Sequence, residues 1–293
     1  MKLAHIFPLW IVITATPVSA TPDDLGNWSG PRIMQEVQTR QHQYPYVYEE
    51  QSIVLVDRNG FRDTRTARRY SRIETDDSVN LLLIFESPLQ VKGVSLLARR
   101  DPTGRVTSEL YLPSLGQQMI ASDSGDNSAG FMGTDFSVES LTGEMLSEYL
   151  YVRSDDLDLE DQLYFSVDVF HAGADPRKTR PLRRHFIRQD NFFITRTDHF
   201  DANGEINRRQ RSYDLKVVDG TLWHANLMLM DDFREQHQTL IKVDRRIFSR
   251  DYVPLEMFSA AWLFENYQTP PVNEPEGMAS TTAAPATGSG ENP

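Results

Sequence analysis

The histidines are the residues of this chain best suited to acid–base or metal chemistry, so their spacing is the first test for an active site. None stands two or four residues from another, the separations that place two side chains on one strand or helix face. The sequence also lacks HExxH, the P-loop, the nucleophile motif GxSxG and the glycine pattern of dinucleotide-binding folds. We expect no enzyme, no metal site and no cofactor, and structural roles for His42, His171, His185, His199, His224 and His237. A Ser/His/Asp site assembled by folding is the alternative that one sequence leaves open.

An acidic run at 155–161, DDLDLED, is the one segment that suggests a cation site. A calcium-binding loop needs a central glycine and oxygen ligands at defined spacings, and this run provides neither. We interpret it as a solvated acidic turn.

The charge balance argues against one class of partner. The chain has 42 acidic and 30 basic residues, whereas sequence-independent binding of nucleic acid depends on neutralising phosphates with basic side chains. Basic residues do cluster, and we expect these clusters to be solvated strand faces with acidic residues opposite them; contact with anionic headgroups is the alternative. The clusters occupy 61–72, 180–188, 207–211 and 244–250.

Large apolar side chains in segments made flexible by glycine are the remaining candidates for ligand binding. SAGFMGTDFSVESL (128–141) places Phe131 and Met132 between Gly130 and Gly133. These side chains either pin a loop to the core or occupy an empty cavity and move aside when an acyl chain enters, since methionine adapts well to varied ligands. We take as candidate ligand contacts Leu89, Val91, Met119, Phe131, Met132, Phe136, Trp223, Leu227 and Leu229, with Gly93, Gly130 and Gly133 as hinges.

Turn signals along the chain predict the elements that would position these residues. Asn-Gly within 57–60 supplies the positive φ angles of a tight hairpin, and similar turns occur at 101–104, 201–204 and 218–220. Short connections make successive strands antiparallel neighbours, so we expect a meander of roughly ten strands. Helices are predicted over 33–43, with Pro31 in its first turn, and from a cap at Asp135 through Leu141, ended by Gly143.

Several strands are apolar on both faces, which predicts cover on both sides of the sheet. NLLLIFESP (80–88) and SIVLV (52–56) have this character, and TLWHANLMLM (221–230) largely shares it. A strongly curved antiparallel sheet wrapped around helices or a ligand would satisfy the pattern. The fold class we predict is mainly β, a single curved sheet with a few helices covering its concave face.

The two ends of the chain differ in composition from the middle. Residues 1–20 combine Lys2, a short apolar run and small residues before position 21, which is typical of a cleaved signal peptide. We expect an exported protein with a loosely held N-terminal lead at 21–32 and one domain at 33–267. Residues 268–293 are rich in Pro, Ala, Thr and Gly and are predicted to be a disordered tail.

Three segments together resemble a known family. SPLQVKGVSLL, SELYLPSLGQQMIAS and GFMGTDFSVESL follow one another as in the LolA-like outer-membrane lipoprotein-sorting proteins, in the subgroup associated with RND-type exporters. The later hairpins are similar too, with a DxxG turn at 201–204 and a strand start at 220–223. The resemblance implies an incomplete antiparallel β-barrel whose apolar concave side is closed by helices.

That resemblance also implies a function. We expect a periplasmic carrier that holds lipid or lipid-modified cargo in an apolar cavity, makes transient membrane contact and works with an RND-type exporter. The alternative is a non-enzymatic adaptor that docks on an exporter or envelope complex without binding lipid. The cargo, the direction of transfer, the partner exporter and the oligomeric state do not follow from the residues.

Overall fold

The fold is built on one large antiparallel sheet. The structure is a computed structural model that describes residues 25–113, 118–121 (backbone only), 130–159 and 161–267. The predicted signal peptide, the whole of the predicted tail and the side chain of Met119 lie outside the described residues. The strands are β1 (Tyr46–Val56), β2 (Arg62–Ile73), β3 (Val79–Ser87), β4 (Ser95–Arg100), β5 (Val106–Leu112), β6 (Gln118–Ala121), β7 (Tyr149–Arg153), β8 (Leu157–Leu159), β9 (Gln162–His171), β10 (Arg183–Arg188), β11 (Ile194–Phe200), β12 (Ile206–Asp219), β13 (Leu222–Asp232) and β14 (His237–Phe248).

The strand order joins two meanders. It runs β6-β5-β4-β3-β2-β1-β14-β13-β12-β11-β10-β9-β7, with β8 paired to β9. The meanders meet where β1 pairs with β14 in antiparallel register, for example Ile53 with Ile241. In the described part of the chain, β6 and β7 end this path without pairing to each other, so the sheet stays open, as predicted.

The described residues form fourteen strands, more than the ten or so predicted. Short strands such as β7 and β8 carry no turn dipeptide of their own, and β8 lies inside the acidic run that we interpreted as a turn. Pairing with β9 overrides the low strand propensity of that run. The four hairpin turns at 57–60, 101–104, 201–204 and 218–220 are confirmed.

Within the described residues, three α-helices accompany the sheet: α1 (Gly30–Gln41), α2 (Val138–Thr142) and α3 (Ala260–Asn266). Helix α1 begins three residues earlier than predicted, because Ser29 takes the cap position and Pro31 falls in the first turn. Helix α2 is capped by Ser137, whose hydroxyl accepts from the Ser140 amide at 3.1 Å, and ends at Gly143 as predicted. None of the helices in the described ranges combines the length and apolar character needed to span a bilayer.

The sheet must curve strongly, because strands far apart in its order line one cavity. Arg100 on β4 and His185 on β10 are eight positions apart in the strand order, which is roughly 38 Å in a flat sheet at about 4.8 Å per strand. Both side chains nevertheless line a single cavity of about 390 Å³. The face that surrounds this cavity is therefore the concave one.

Three apolar cores cover the sheet. On the concave side, residues 130–146, here called the covering segment, pack with Phe131 and Phe136 on β1 to β4, and α1 packs with Ile33 and Val37 on β7, β9 and β10. On the convex side, the C-terminal residues 250–267 pack on β1 to β5. Strand β3 lies between two of these cores, so Val79 through Phe85 are all buried and its predicted cover on both sides is confirmed.

Candidate functional site

The candidate site is the concave cavity between α1, the covering segment and the sheet. Apolar side chains in its lining come from α1, α2 and the central strands: Met34, Val37, Leu141, Met228 and Ile241. Its floor is polar, because the odd-numbered residues of β1 and β10 point inward and include Glu49, Gln51, Arg183 and His185. The hollow is thus amphipathic, in contrast to the apolar cavity that we predicted.

The covering segment begins with a tight turn. The Phe131 amide donates to the Phe136 carbonyl at 3.2 Å, and the Thr134 amide donates to the Phe131 carbonyl at 2.9 Å. Met132 and Gly133 have φ angles of 49° and 79°, the left-handed region that glycine adopts without strain. At Gly130 the constraint is space, since an added Cβ would lie 1.9 Å from the Thr134 carbonyl oxygen.

Side chains from the sheet hold the backbone of this segment. Arg65 Nη1 donates to the Met132 carbonyl at 2.7 Å, and Arg69 Nη2 donates to the Leu141 carbonyl at 3.2 Å. Asp135, which we expected to cap a helix, instead lies 2.8 Å from His237 Nδ1. Its carboxylate also accepts from the Thr239 hydroxyl. The contacts of Met132 and Asp135 fix the start of the segment to β2 and β14.

The other end is fixed by a charged cluster on the far half of the sheet. Glu144 Oε1 accepts from Arg183 Nε at 3.1 Å and lies 2.7 Å from His185 Nε2, and its Oε2 accepts from the Tyr151 hydroxyl at 2.9 Å. Glu139 accepts from Arg183 Nη2 at 3.1 Å. The covering segment therefore bridges the cavity from β2 and β14 to β7 and β10.

The electrostatics of this cluster keep the Glu144 carboxyl ionised and the Tyr151 hydroxyl neutral. Burial alone would raise the pKa of the Glu144 carboxyl, but His185 and Arg183 outweigh burial and hold that pKa well below its usual range. Burial and the adjacent Glu144 raise the pKa of the Tyr151 hydroxyl, which stays a neutral donor. Across the cavity, burial likewise opposes ionisation of Glu49, but Arg69 and Arg246 keep its pKa low.

Two cavity histidines are held in the neutral form. Burial, followed by the charge of Arg183, lowers the pKa of His199 to about 3, and its Nε2 has no hydrogen-bond partner in the described residues. Burial and then Arg246 lower the pKa of His224 to about 4. Both side chains line the cavity. Protonating either one within the folded protein is therefore unfavourable.

Acid is expected to destabilise the fold through these histidines. Their folded pKa values lie below the unfolded value of about 6.5, so the unfolded chain binds more protons and stability falls as pH drops below about 6.5. His199 alone should lower the free energy of unfolding by up to about 2 kcal/mol between pH 6.5 and 5.0. Urea unfolding at pH 7.5 and 5.0 should show a smaller pH loss for His199→Asn than for the wild type.

The matched control for this pH prediction is His171→Asn, because His171 lies at the exposed end of β9. That variant should keep the full pH loss. An unchanged loss in His199→Asn would contradict the assignment of a buried neutral histidine.

Within the described residues, no group of three or more His, Cys, Asp or Glu side chains is arranged to hold a metal ion. The carboxylates of the cavity are instead paired with arginine, histidine and tyrosine.

The basic clusters found in the sequence do have acids opposite them, as predicted. However, Arg69, Arg183 and Arg246 belong to the cavity rather than to a solvated face.

Comparison with known proteins shows which family the chain belongs to. A protein-family model described as uncharacterized protein, of the DUF1329-like type, matches residues 77–264, well over half of the chain. The chain belongs to this DUF1329-like family. No curated protein matches the sequence.

Solved structures similar to this DUF1329-like protein share its fold. A proposed outer membrane lipoprotein-sorting protein domain from Vibrio parahaemolyticus has a TM-score of 0.73 at 20% identity, covering 80% of this chain and 97% of that one. A DUF1329 family protein from Desulfovibrio piger has a TM-score of 0.68 at 18% identity, covering 78% and 98%. A LolA superfamily protein from Nitrosomonas europaea has a TM-score of 0.62 at 11% identity, covering 80% and 99%. The predicted LolA-like fold is confirmed.

The structure brings only part of the predicted ligand-contact set of this DUF1329-like protein to the cavity. Phe136 and Trp223 line it. Phe131 is buried in the adjacent core, stacked on Phe85 at 5.7 Å, and Val91 and Met132 pack half-buried against the same core. Of the three predicted hinges, Gly93 and Gly133 have positive φ angles, and Gly130 is a close-packed turn residue.

The remaining predicted contacts lie elsewhere. Leu89 is 80% exposed in the turn after β3. Leu227 and Leu229 lie on the convex side of β13, because the register pairs Met228 with Ile241 on the cavity side. Sequence alternation alone could not choose between these faces, since both faces of β13 are largely apolar.

The charged residues of the cavity are not recognisable as site residues from the sequence. Arg100, Glu144, Arg183, His185 and His199 were assigned to solvated faces, to structural roles or to no role. The alternation of Arg183, His185 and Ile187 along β10 shows that they share a face, but only the cover provided by the covering segment makes that face interior.

Proposed function

We propose that this protein is a non-enzymatic periplasmic carrier of amphiphilic cargo, either lipid or lipid-modified protein. The observation that supports the proposal is the amphipathic cavity of about 390 Å³ under the covering segment, which is lined both by apolar residues of α1, α2 and the central strands and by charged residues. Its volume is at the lower end of ligand-binding cavities, which span about 300–1,000 Å³. A larger cargo would require displacement of the covering segment.

A carrier of this kind needs no fuel of its own. Exposing a sixteen-carbon chain to water is unfavourable by on the order of 10 kcal/mol, at about 0.8 kcal/mol per methylene. Transfer from one apolar environment to another avoids most of that penalty. We propose delivery of cargo by an RND-type exporter, after export directed by the signal peptide predicted at 1–20.

The proposal is tested by analysing what the protein holds and what it can bind. Native mass spectrometry of the protein isolated from a bacterial envelope should show a lipid-sized mass increment. The delipidated protein should bind a fluorescent fatty acid. Protein of bare mass with no affinity for the probe would overturn the carrier function.

A cavity-filling variant ties that binding to the site. Ser212 on β12 lines the cavity, so Ser212→Trp should occupy it and weaken probe binding at least about tenfold. Tyr213, the next residue, is 41% exposed and points the other way, so Tyr213→Trp is the matched control and should bind normally. Equal binding by both variants would place the probe outside the cavity.

A second candidate function is an adaptor that docks on an exporter or envelope complex without lipid. The observation in its favour is that Phe131 and Phe136 fill part of the concave side with the protein's own core. For an adaptor, capture of the exporter should survive Ser212→Trp, and the isolated protein should carry no lipid. For the carrier, lipid retention should be lost in that variant.

A further inference from the structure

One arginine of the cavity lacks the partners that the others have. Arg100 at the end of β4 is 2% exposed and lines the cavity. Its Nη2 donates to the Asp77 carbonyl at 3.3 Å, whereas Nε and Nη1 have no hydrogen-bond partner among the described residues. A buried charged group with unpaired donors is costly, so the fold keeps Arg100 at the expense of stability.

The other cavity arginines have carboxylate partners. Arg183 contacts Glu139 and Glu144, and Arg246 contacts Glu49 at 2.7 Å. Arg69 lies 3.5 Å from Glu49 and also binds a backbone carbonyl. Each of these guanidinium groups has a carboxylate within ion-pair distance. No carboxylate of the described residues lies within that distance of the Arg100 guanidinium.

The acidic residues nearest to Arg100 act on it only at longer range. Asp77 lies 3.7 Å from His42 Nδ1, and Glu148 lies beside the turn at Gly104. Burial lowers the pKa of the Arg100 guanidinium, and the attraction of Asp77 and Glu148 offsets this only in part. The positive end of the cavity therefore lacks a close counter-charge.

We propose that the Arg100 end of the cavity is a subsite for an oxyanion, the carboxylate or phosphate headgroup of an anionic amphiphile. Arginine suits this role because its planar guanidinium matches the geometry of both groups. The apolar part of the ligand would lie along Met34 and Val37 of α1, which line the same cavity. This inference rests on the proposed carrier function for the tail of the ligand, but not for its headgroup.

The test compares two probes of equal chain length by calorimetric titration of the full mature protein at pH 7.5. Dodecanoate carries a carboxylate and dodecanol does not, so the wild type should bind dodecanoate at least about tenfold more tightly. Arg100→Gln should remove that preference, because it should weaken dodecanoate binding at least about tenfold. Arg99→Gln is the matched control, because Arg99 is the adjacent exposed residue on the opposite face of β4.

Stability measurements separate a binding role from a structural one. Removing an unpaired buried charge should leave the melting temperature of Arg100→Gln equal to or above that of the wild type. A folded Arg100→Gln protein that binds dodecanoate as tightly as the wild type would overturn the subsite. A large loss of stability would also count against it, since it would show that Arg100 is needed for folding.

A third titration, with inorganic phosphate alone, separates this inference from the carrier function. Binding of phosphate that is weakened at least about tenfold in Arg100→Gln, without binding of either twelve-carbon probe, would support the oxyanion site and overturn the carrier. Equal binding of both twelve-carbon probes would support the carrier and overturn the subsite.

Discussion

Replacing Arg183 with methionine is expected to lower the free energy of unfolding by about 3–5 kcal/mol. Arg183 is 10% exposed and compensates two carboxylates, Glu139 and Glu144, under the covering segment. Methionine keeps much of the side-chain volume but leaves both acids without that charge. Urea unfolding at pH 7.5, monitored by tryptophan fluorescence, measures the loss.

The control for this prediction is an exposed ion pair in the same region. Lys178 is 82% exposed and lies 3.6 Å from Asp175, so Lys178→Met should change stability by less than about 1 kcal/mol. The triple variant Glu139→Gln, Glu144→Met, Arg183→Met should recover much of the loss, because it leaves neither carboxylate without its arginine. A single Arg183→Met variant as stable as the wild type would show that the cluster does not hold the covering segment.

Phe131→Ala is expected to lower the free energy of unfolding by about 3–5 kcal/mol, the usual range for a buried phenylalanine. The Phe131 ring is 8% exposed, stacks on Phe85 and packs in the core on the concave side of β1 to β4. Loss of the ring also removes the apolar contact that holds the start of the covering segment. We therefore expect faster exchange of a bound fluorescent fatty acid in stopped-flow dilution.

Phe61→Ala provides the comparison, because Phe61 is 70% exposed in the first hairpin and its removal should alter stability by no more than about 0.5 kcal/mol. Hydrogen exchange across 130–146 should rise in Phe131→Ala and stay unchanged in Phe61→Ala. If Phe131→Ala were as stable as the wild type, the ring would be a mobile plug rather than part of the core.

Phe131 and Met132, which lie between Gly130 and Gly133, have different environments. Phe131 is a core residue, whereas Met132 is half-buried and its carbonyl accepts a hydrogen bond from Arg65. Gly133 provides a left-handed turn residue and Gly130 provides space for the Thr134 carbonyl. Movement of this turn would have to break the contact of Arg65 with the Met132 carbonyl and the contacts of Asp135 with His237 and Thr239.

Local signals predicted most of the secondary structure. The Asn-Gly turn between β1 and β2 and the Gly143 end of α2 depend on residues adjacent in the chain, and both are found where expected. We predicted Asp135 rather than Ser137 as the cap of α2, because both are good capping residues and the sequence does not show which other partner each side chain has. The partner of Asp135 is His237, 102 residues away in sequence.

The cavity could not be predicted in the same way. The apolar residues of β13 and of 128–141 form runs in the sequence, and such runs predict an apolar hollow. The polar floor arises from pairs such as Glu144 with His185 and Glu49 with Arg246, which are separated by 41 and 197 residues. In each sequence segment such residues look like solvated strand faces.

The amino-acid sequence by itself determined the antiparallel meander, the positions of its main turns and the burial of β3 on both faces. It did so because turn chemistry and side-chain alternation act between near neighbours. Only the tertiary structure decided which strand faces became the interior of the curve and which charged side chains met there. Curvature brings β4 within reach of β10, and that proximity, rather than any local preference, makes Arg100, Arg183 and His185 residues of one cavity.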